Sequence, residues 1–203
     1  MDYEYDVFLS YTRQFPFGDW VLNHFLPLLR PYLNQAVNRT AEVFVDQEEI
    51  ATGDAWPERL QRALACSRCQ IAVWCPSYFQ SEWCRRECGV MLHRERKVGL
   101  RTLKKPGGLV VPINVFDGEH FPSATKSIQY SDCRRFFRVG EGFTKTELYV
   151  DFQSQLIPWV DDVAAAIRRA PPWSKQWLTA KWLAVQNNDL LPPNPKFSFP
   201  GLD

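Results

Sequence analysis

Four short apolar runs recur along the chain and constrain its fold more than any other feature. They occupy residues 5–10, 42–46, 70–74 and 109–115. Runs of this length, bounded by turn-forming residues, are typical of buried β-strands. Segments with apolar residues at helical spacing follow them. Strands that alternate with helices form a parallel sheet with helices on both faces, so an α/β fold is predicted.

The helical segments are predicted at residues 18–35, 57–67, from Ser77 or Ser81 to 97, and at 152–169. Pro27 and Pro31 lie inside the first segment, where we expect a kink or an early end because proline lacks a backbone donor. A fifth strand between residues 116 and 151 is only faintly indicated. About five strands favour the flavodoxin-like order 2-1-3-4-5, in which ligands bind beyond the carboxyl ends of the strands, at the switch point between strands one and three.

Composition excludes several functional classes for this chain of 203 residues. With 45% hydrophobic and 23% charged residues it fits one soluble domain, with room for a short appendage. A net charge of +1 gives no reason to expect direct nucleic-acid binding. No apolar run approaches the ~18–20 residues that span a membrane, and the acidic start lacks the pattern of a signal peptide. We therefore expect a cytoplasmic protein without membrane contact.

Six cysteines permit either a metal site or simple packing. A zinc site would pair Cys66 and Cys69 with Cys84 and Cys88, but Cys69 opens an apolar strand and should point into the core. Buried, reduced thiols are the favoured interpretation, and no metal site is predicted. The cysteines are residues 66, 69, 75, 84, 88 and 133.

Polar residues at the ends of the predicted strands should meet at one rim of the sheet. They are Ser10, Tyr11 and Arg13 after the first strand and Asp46 after the second. The helix that follows the third strand begins with the stretch SEWCRRE. Its Trp83 and Glu87 are one turn apart on the same face. Taken alone, each has a plain alternative: a helical glutamate usually faces water, a tryptophan packs, and strand-end serines and aspartates form turns.

Two further stretches are better explained by structure than by ligands. Residues 93–105 are basic, which suits a helix C-terminus followed by a solvated loop. The tail 171–203 is rich in Trp and Pro; we expect Trp173 and Trp177 to dock on the domain and the last residues to be extended or disordered.

Several spaced motifs resemble those of Toll/interleukin-1 receptor (TIR) domains. Residues 5–13 (YDVFLSYTR) resemble the first signature box, and residues 45–56 resemble the second box with its BB loop. Residues 67–87 are similar to the stretch that leads to the catalytic glutamate of the family, and residues 111–115 to its fourth strand. The W-x-x-x-E form at Trp83 and Glu87 resembles bacterial members. The likeness spans about residues 3–170, so we assign 1–170 to the domain and 171–203 to an extension.

The resemblance implies an NAD hydrolase that cleaves the bond between nicotinamide and ribose and gives linear or cyclic ADP-ribose. It implies Glu87 as the catalytic residue, with NAD as substrate and no cofactor. A bacterial immune role in antiphage defence, activated by homotypic assembly or a partner, follows from the family alone. Substrate-binding residues would be Trp83, Ser10, Tyr11, Arg13, Asp46 and Trp56. The assembly residues of the BB loop would be Glu48, Glu49, Ile50, Ala51, Thr52, Gly53 and Asp54.

A single carboxylate is sufficient for this reaction. Ordinary glycosidases need a second acid because the leaving alkoxide must be protonated. Nicotinamide in NAD is cationic and leaves as a neutral molecule, so a carboxylate that stabilises the ribosyl cation is enough. Two alternatives stay open: a non-enzymatic TIR scaffold that signals by homotypic assembly, and another N-glycosidic enzyme related to deoxyribosyltransferases.

Overall fold

Five parallel strands form one sheet in the order 2-1-3-4-5, which confirms the predicted flavodoxin-like topology. The computed structural model describes residues 2–46, 58–119, 121–179 and 190. The fifth strand is only two residues long, which is why its sequence pattern is faint. The strands are β1 (Tyr5–Ser10), β2 (Val43–Val45), β3 (Ser67–Trp74), β4 (Val110–Asn114) and β5 (Ser131–Asp132).

The helices cover both faces of this sheet. Helices α2 and α6 pack against each other, and α6 also contacts β3 and β4, whereas α3 contacts β1 and α5 contacts β1, β3 and β4. None of the described helices is both long enough and apolar enough to cross a membrane. Their bounds are α1 (Phe17–Trp20), α2 (Leu26–Val37), α3 (Glu58–Ala65), α4 (Pro76–Gln80), α5 (Glu82–Lys97) and α6 (Glu147–Arg169).

The first helical segment does not end early at its prolines. A π-helical stretch, Val21–Phe25, links α1 to α2, and α2 continues through Pro31 to Val37. Pro27 falls in the first turn of α2, where a missing backbone donor costs little. Asn38 ends the helix in the left-handed conformation, at φ 55°. The buried leucine face of α2 accounts for its persistence beyond Pro31, because tertiary packing outweighs local propensity.

Helix starts explain two further boundaries. Ser81 caps α5, since its side chain accepts a hydrogen bond from the backbone N–H of Cys84 at 3.3 Å. The preceding Pro76–Gln80 segment is therefore a separate helix. Helix α6 begins five residues before the predicted Phe152, because Thr146 accepts a hydrogen bond from the N–H of Tyr149.

The core between sheet and helices is rich in aromatic rings. Trp20 is fully buried, lies parallel to Phe25 with ring centroids 5.6 Å apart, and donates its indole N–H to the carbonyl of Phe136 at 2.9 Å. All six cysteines are free and buried, as predicted. Their burial agrees with thiols that act as small core residues.

At the amino end of the sheet, side chains of α5 replace missing backbone partners. Glu95, which is 2% exposed, accepts hydrogen bonds from the N–H groups of Leu109 and Val110 and pairs with Arg101. Arg101 in turn donates to the carbonyl of Val110 at 3.0 Å. Because β5 aligns only with Ile113 and Asn114, this ion pair closes the part of the β4 edge that β5 does not reach.

Arg94 on the same helix is fully buried beneath the tail. Its guanidinium donates to three carbonyls, those of Leu64, Ala65 and Ser67. It lies over the indole of the buried Trp177, 4.1 Å from the ring centroid. The residues 93–105 are thus not uniformly solvated as expected, since Arg94 and Glu95 satisfy backbone groups in the interior.

Candidate active site

The carboxyl end of β1 delivers a buried hydroxyl to the rim of the sheet. Ser10 is the last residue of β1, is aligned with Ala72 of β3, and is 1% exposed. A polar residue at the end of an apolar strand must find a partner when it is buried. Two partners are present: Ser10 Oγ lies 2.6 Å from Glu87 Oε2 and 2.8 Å from the hydroxyl oxygen of Tyr78.

Glu87 reaches this hydroxyl because α5 starts just beyond β3. The cap at Ser81 sets the start of the helix, and Glu87 then falls on the face that contacts the sheet. Only 6% of its surface is exposed. Arg13 and Asp46 both influence its charge, Arg13 by attraction and Asp46 by repulsion. Glu87 is thus a buried carboxyl group held by a neutral hydroxyl.

Burial dominates the protonation of Glu87. Loss of hydration raises the pKa of its carboxyl group from 4.5 to about 8, and the nearby negative charge of Asp46 acts in the same direction. The hydrogen bond from Ser10 and the positive charge of Arg13 lower the pKa, but by less. A carboxyl group with such a perturbed pKa at the functional edge of an α/β sheet is a candidate for catalysis.

Asp46, at the end of β2, organises a charged border beside Glu87. Its two carboxylate oxygens lie 3.6 Å from Arg13 and 3.8 Å from Arg59. The hydroxyl of Tyr11 donates to the Asp46 backbone carbonyl at 3.2 Å, and burial raises the pKa of Tyr11 to about 12, so this hydroxyl keeps its proton. Tyr11, Arg13 and Asp46 therefore lie just beyond the ends of β1 and β2, close enough to Glu87 to interact with it electrostatically.

Trp83 is less clearly part of this group. Its ring is partly buried against the core, and the guanidinium of Arg86 lies over it at 5.7 Å from the centroid. Its role as a wall of the substrate pocket stays a prediction. Trp56 and the BB-loop residues 48–54 lie outside the described part of the chain.

An open cavity of about 650 Å³ adjoins this border. It shares Tyr11 and Arg13 with the site and runs along α1 and the start of α2. Gly18 lies in the wall of this cavity. A Cβ at this position would come within 2.7 Å of the Arg13 carbonyl oxygen, so only glycine lets α1 approach the end of β1. The cavity is lined by Tyr11, Arg13, Gly18, Asp19, Leu22, Leu26, Pro27 and Arg30.

Sequence reasoning missed Tyr78 and the α1–α2 wall of the cavity. Tyr78 stands in the Pro76–Glu87 stretch, where its hydroxyl is the one polar group of an otherwise apolar pair with Phe79. That tyrosine is fully buried, which would have predicted a hydrogen-bond partner had its burial been recognised. Asp19 and Arg30 give no comparable indication, since charged helix residues normally face water. The described residues contain no cluster of three or more His, Cys, Asp or Glu side chains that could hold a metal ion.

The sequence was compared with models of known protein families. The TIR domain family model matches residues 7–145, which is more than half of the chain. The chain belongs to the TIR domain family. The match contains Ser10, Asp46, Tyr78 and Glu87, so the entire charged border described above lies within the TIR domain.

The search of solved structures matches TIR domain structures. One is the TIR domain of the Toll-related receptor TRR-2 from Hydra magnipapillata, at 16% identity and a TM-score of 0.44 over 75% of this chain and 98% of that one. Another is that of the TIR domains in the activated Roq1 resistosome, which directly recognises the pathogen effector XopQ, at 23% identity and a TM-score of 0.38 over 81% and 84%. No curated protein matches the chain.

Proposed function

We propose that this TIR domain is an NAD hydrolase that cleaves the nicotinamide–ribose bond and releases nicotinamide with linear or cyclic ADP-ribose. The observation that carries the proposal is Glu87, a carboxyl group buried at the carboxyl edge of the sheet and held by Ser10 at 2.6 Å. Glu95, on the same helix, is paired with Arg101, whereas burial raises the pKa of Glu87, whose hydrogen-bond partner is the neutral hydroxyl of Ser10.

A cationic leaving group suits this carboxyl group. Transfer of the positively charged nicotinamide ring into the site would favour the ionised form of Glu87 and lower its pKa, because opposite charges stabilise each other most in a desolvated site. As the bond breaks, positive charge moves onto the ribose, where the carboxylate can stabilise it. Nicotinamide leaves neutral, so no second acid is needed, and water or a ring nitrogen of the adenine completes the reaction.

The adjoining cavity offers space for the rest of the dinucleotide. Its volume of about 650 Å³ lies in the range of small-molecule sites. Arg13 and Arg30 line it and would bring positive charge to the pyrophosphate, while Tyr11 is shared by the cavity and the border of the site. Trp83 would pack on the nicotinamide or the ribose from the helix side.

The enzyme would act in an assembly inside the cytoplasm. We propose homotypic TIR self-association through residues 48–54 and activation by a partner or signal as part of a bacterial immune, antiphage response. The high pKa of Glu87 supports control of this kind, since in the isolated chain much of the carboxyl group is neutral at pH 7. A neighbouring protomer that closes the site would change this balance.

Cleavage of NAD by the purified chain tests the proposal. NAD is incubated with the protein alone, under crowding and with any activator, and nicotinamide release is followed by chromatography. Glu87→Gln must abolish release while circular dichroism shows an intact fold. Glu82→Gln is the matched control, because its side chain lies on the same helix and is 74% exposed. Equal turnover by Glu87→Gln and wild type would refute the assignment.

A non-enzymatic TIR scaffold is the second candidate. The burial that raises the pKa of Glu87 favours it, since a carboxyl group that keeps its proton stabilises the fold without performing chemistry. This function predicts that Glu87→Gln preserves signalling, whereas substitutions within residues 48–56 abolish it. The enzyme predicts loss of signalling with either change.

A further inference from the structure

Three side chains from three separate elements form one buried hydrogen-bond network of hydroxyl and carboxyl groups. Ser10 belongs to β1, Tyr78 to α4 and Glu87 to α5, and at most 6% of any of them is exposed. Ser10 Oγ lies between the other two, 2.8 Å from the Tyr78 hydroxyl and 2.6 Å from Glu87 Oε2. Both distances are those of good O–H···O hydrogen bonds.

The number of available protons decides which group donates and which accepts in each hydrogen bond of this network. Ser10 has a single hydroxyl proton, and an ionised Glu87 can only accept it. Tyr78 must then be the donor to Ser10. The resulting order, from Tyr78 through Ser10 to Glu87, aligns both O–H dipoles toward the carboxylate, and hydrogen bonds aligned in this way strengthen one another.

Tyr78 is rigidly held in a position from which it can orient Ser10. Its ring is fully buried and meets Phe79 edge to face at 5.2 Å, and α4 is anchored by Pro76 directly after β3. On the carboxylate side, only Oε2 is engaged: within the described chain no hydrogen bond reaches Glu87 Oε1. One oxygen is fixed and the other is available.

We propose that Tyr78 is a positioning residue for Glu87: its hydroxyl orients the hydroxyl of Ser10, which fixes Oε2 and leaves Oε1 to meet the substrate. This inference builds on the proposed NAD hydrolase function, since it assigns a third residue to the same site. Tyr78 itself does not touch the reacting atoms; it acts through Ser10.

When Glu87 is protonated, the same three groups remain hydrogen-bonded, but each donor becomes the acceptor. A protonated Glu87 donates to Ser10, and Ser10 then donates to Tyr78, whose own proton points away from Ser10. Charge-assisted bonds to the ionised form are the stronger set. Removing the Tyr78 hydroxyl therefore penalises the ionised carboxylate more than the neutral acid. The titratable and charged groups that influence or contact Glu87 are Tyr11, Arg13, Asp46, Tyr78, Cys84 and Cys88.

Titration of Glu87 in Tyr78→Phe tests the proposal without requiring activity. The chain is labelled with ¹³C-carboxyl glutamate, and the Glu87 resonance is assigned by its loss in Glu87→Gln. We expect Tyr78→Phe to raise the pKa of Glu87 by about half to one pH unit, the effect of losing one donor. In the Ser10→Ala background the same substitution should produce no further rise, because its effect passes through Ser10.

Tyr3→Phe is the matched control. Its hydroxyl donates to the carbonyl of Pro171 at 2.7 Å, so the substitution deletes an equally good hydrogen bond far from Glu87. It should leave the Glu87 titration unchanged. If Tyr78→Phe titrates like wild type, or shifts equally with and without Ser10, the positioning role is overturned.

Kinetics separate the two proposals. If wild type cleaves NAD, Tyr78→Phe should lower kcat/KM by about 3- to 10-fold below pH 8, and move the acidic limb of the kcat/KM profile, which reports the free protein, upward by the same interval as the titration. If wild type does not cleave NAD under any condition, the proposed function fails, and the carboxyl titration still decides whether Tyr78 positions Glu87.

Discussion

The two ends of helix α5 each bury a glutamate, and the two carboxyl groups have opposite surroundings. Glu95, near the amino edge of the sheet, is bound by a guanidinium and by two backbone N–H groups. Glu87, at the carboxyl edge two turns earlier, is bound by the hydroxyl of Ser10. A carboxylate with a full set of charged and backbone donors contributes to structure, whereas one with a single neutral donor retains unused capacity.

This difference separates two kinds of buried charge that look alike in the sequence. Removing one partner of a buried ion pair leaves the other charge uncompensated in the interior, so substitutions at Glu95 should strongly lower the free energy of unfolding. An uncompensated carboxyl group keeps its proton to relieve the cost of burial, so the Glu87 end should be sensitive to pH. Substitutions at the two ends can break or sharpen this comparison.

The largest effect is expected for Glu95→Gln. Loss of the charge leaves Arg101 unpaired and places an amide against the N–H groups of Leu109 and Val110. We expect the free energy of unfolding to fall by about 3–5 kcal/mol, as measured by urea denaturation at pH 7. Glu82→Gln, on the exposed side of the same helix, should change it by less than about 0.5 kcal/mol. Equal stability of the two variants would remove the structural role of Glu95.

The next effect concerns pH at the Glu87 end. The folded pKa of Glu87, about 8, lies above its ordinary value of 4.5, so the folded state retains a proton that the unfolded chain releases. Between these values the stability contribution of this group falls as pH rises. Glu87→Gln cannot titrate, and its stability relative to wild type should therefore increase between pH 5 and pH 9, by on the order of 3 kcal/mol.

Urea denaturation of both proteins at the two pH values measures this change, and other titrating groups cancel in the difference. Glu95→Gln serves as the contrast, because this variant should be less stable than wild type at both pH values. If the difference between Glu87→Gln and wild type is the same at pH 5 and pH 9, Glu87 is not a desolvated acid, and the distinction between the two ends disappears.

A smaller effect is expected for Arg94→Lys. The guanidinium of Arg94 bonds three carbonyls and lies flat over Trp177, and an ammonium group cannot reproduce both contacts. We expect a loss of about 1–3 kcal/mol in urea denaturation. Arg86→Lys, at the partly exposed start of the helix, should cost less than about 0.5 kcal/mol. Similar costs for both would show that the tail contact does not depend on the planar group.

The order of the sheet could be predicted from the sequence because it depends on local periodicity and on general rules of connection. Four of the five strands lie in recognisable apolar runs, and helices fill most of the intervals. The fifth, Ser131–Asp132, is too short to show a period. The convergence of Ser10 and Glu87 also follows from this topology, since Ser10 ends β1 and the helix that carries Glu87 begins near the carboxyl end of the adjacent strand β3.

Pairings between distant side chains could not be predicted in the same way. The bond between Tyr78 and Ser10 joins positions 68 residues apart, and it depends on the rotamers of three buried side chains. The roles of Arg94 and Glu95 depend on which backbone groups lack partners, at the end of α3 and along the β4 edge. Charge patterning along residues 93–105 cannot show this, because it describes the helix without the sheet beneath it.

The smallest effect is expected for Ser81→Ala, which removes the cap at the Glu87 end. The 3.3 Å hydrogen bond from the N–H of Cys84 is long, so we expect a loss near the lower end of the usual range, about 0.5–1 kcal/mol. Ser154→Ala, on the surface of α6, removes a hydroxyl bonded only to its own helix and should be neutral or slightly stabilising.

Titration of the Glu87 carboxyl group in Ser81→Ala tests whether its high pKa depends on an ordered first turn of α5. Its high pKa comes from burial and its partner is Ser10 on the sheet, so fraying of the first turn of α5 should leave the titration unchanged. A fall of the pKa toward 4.5 would mean that water enters when the turn opens. Glu87 would then depend on the order of the helix start, and its contrast with Glu95 would reflect local stability rather than the partners of each carboxyl group.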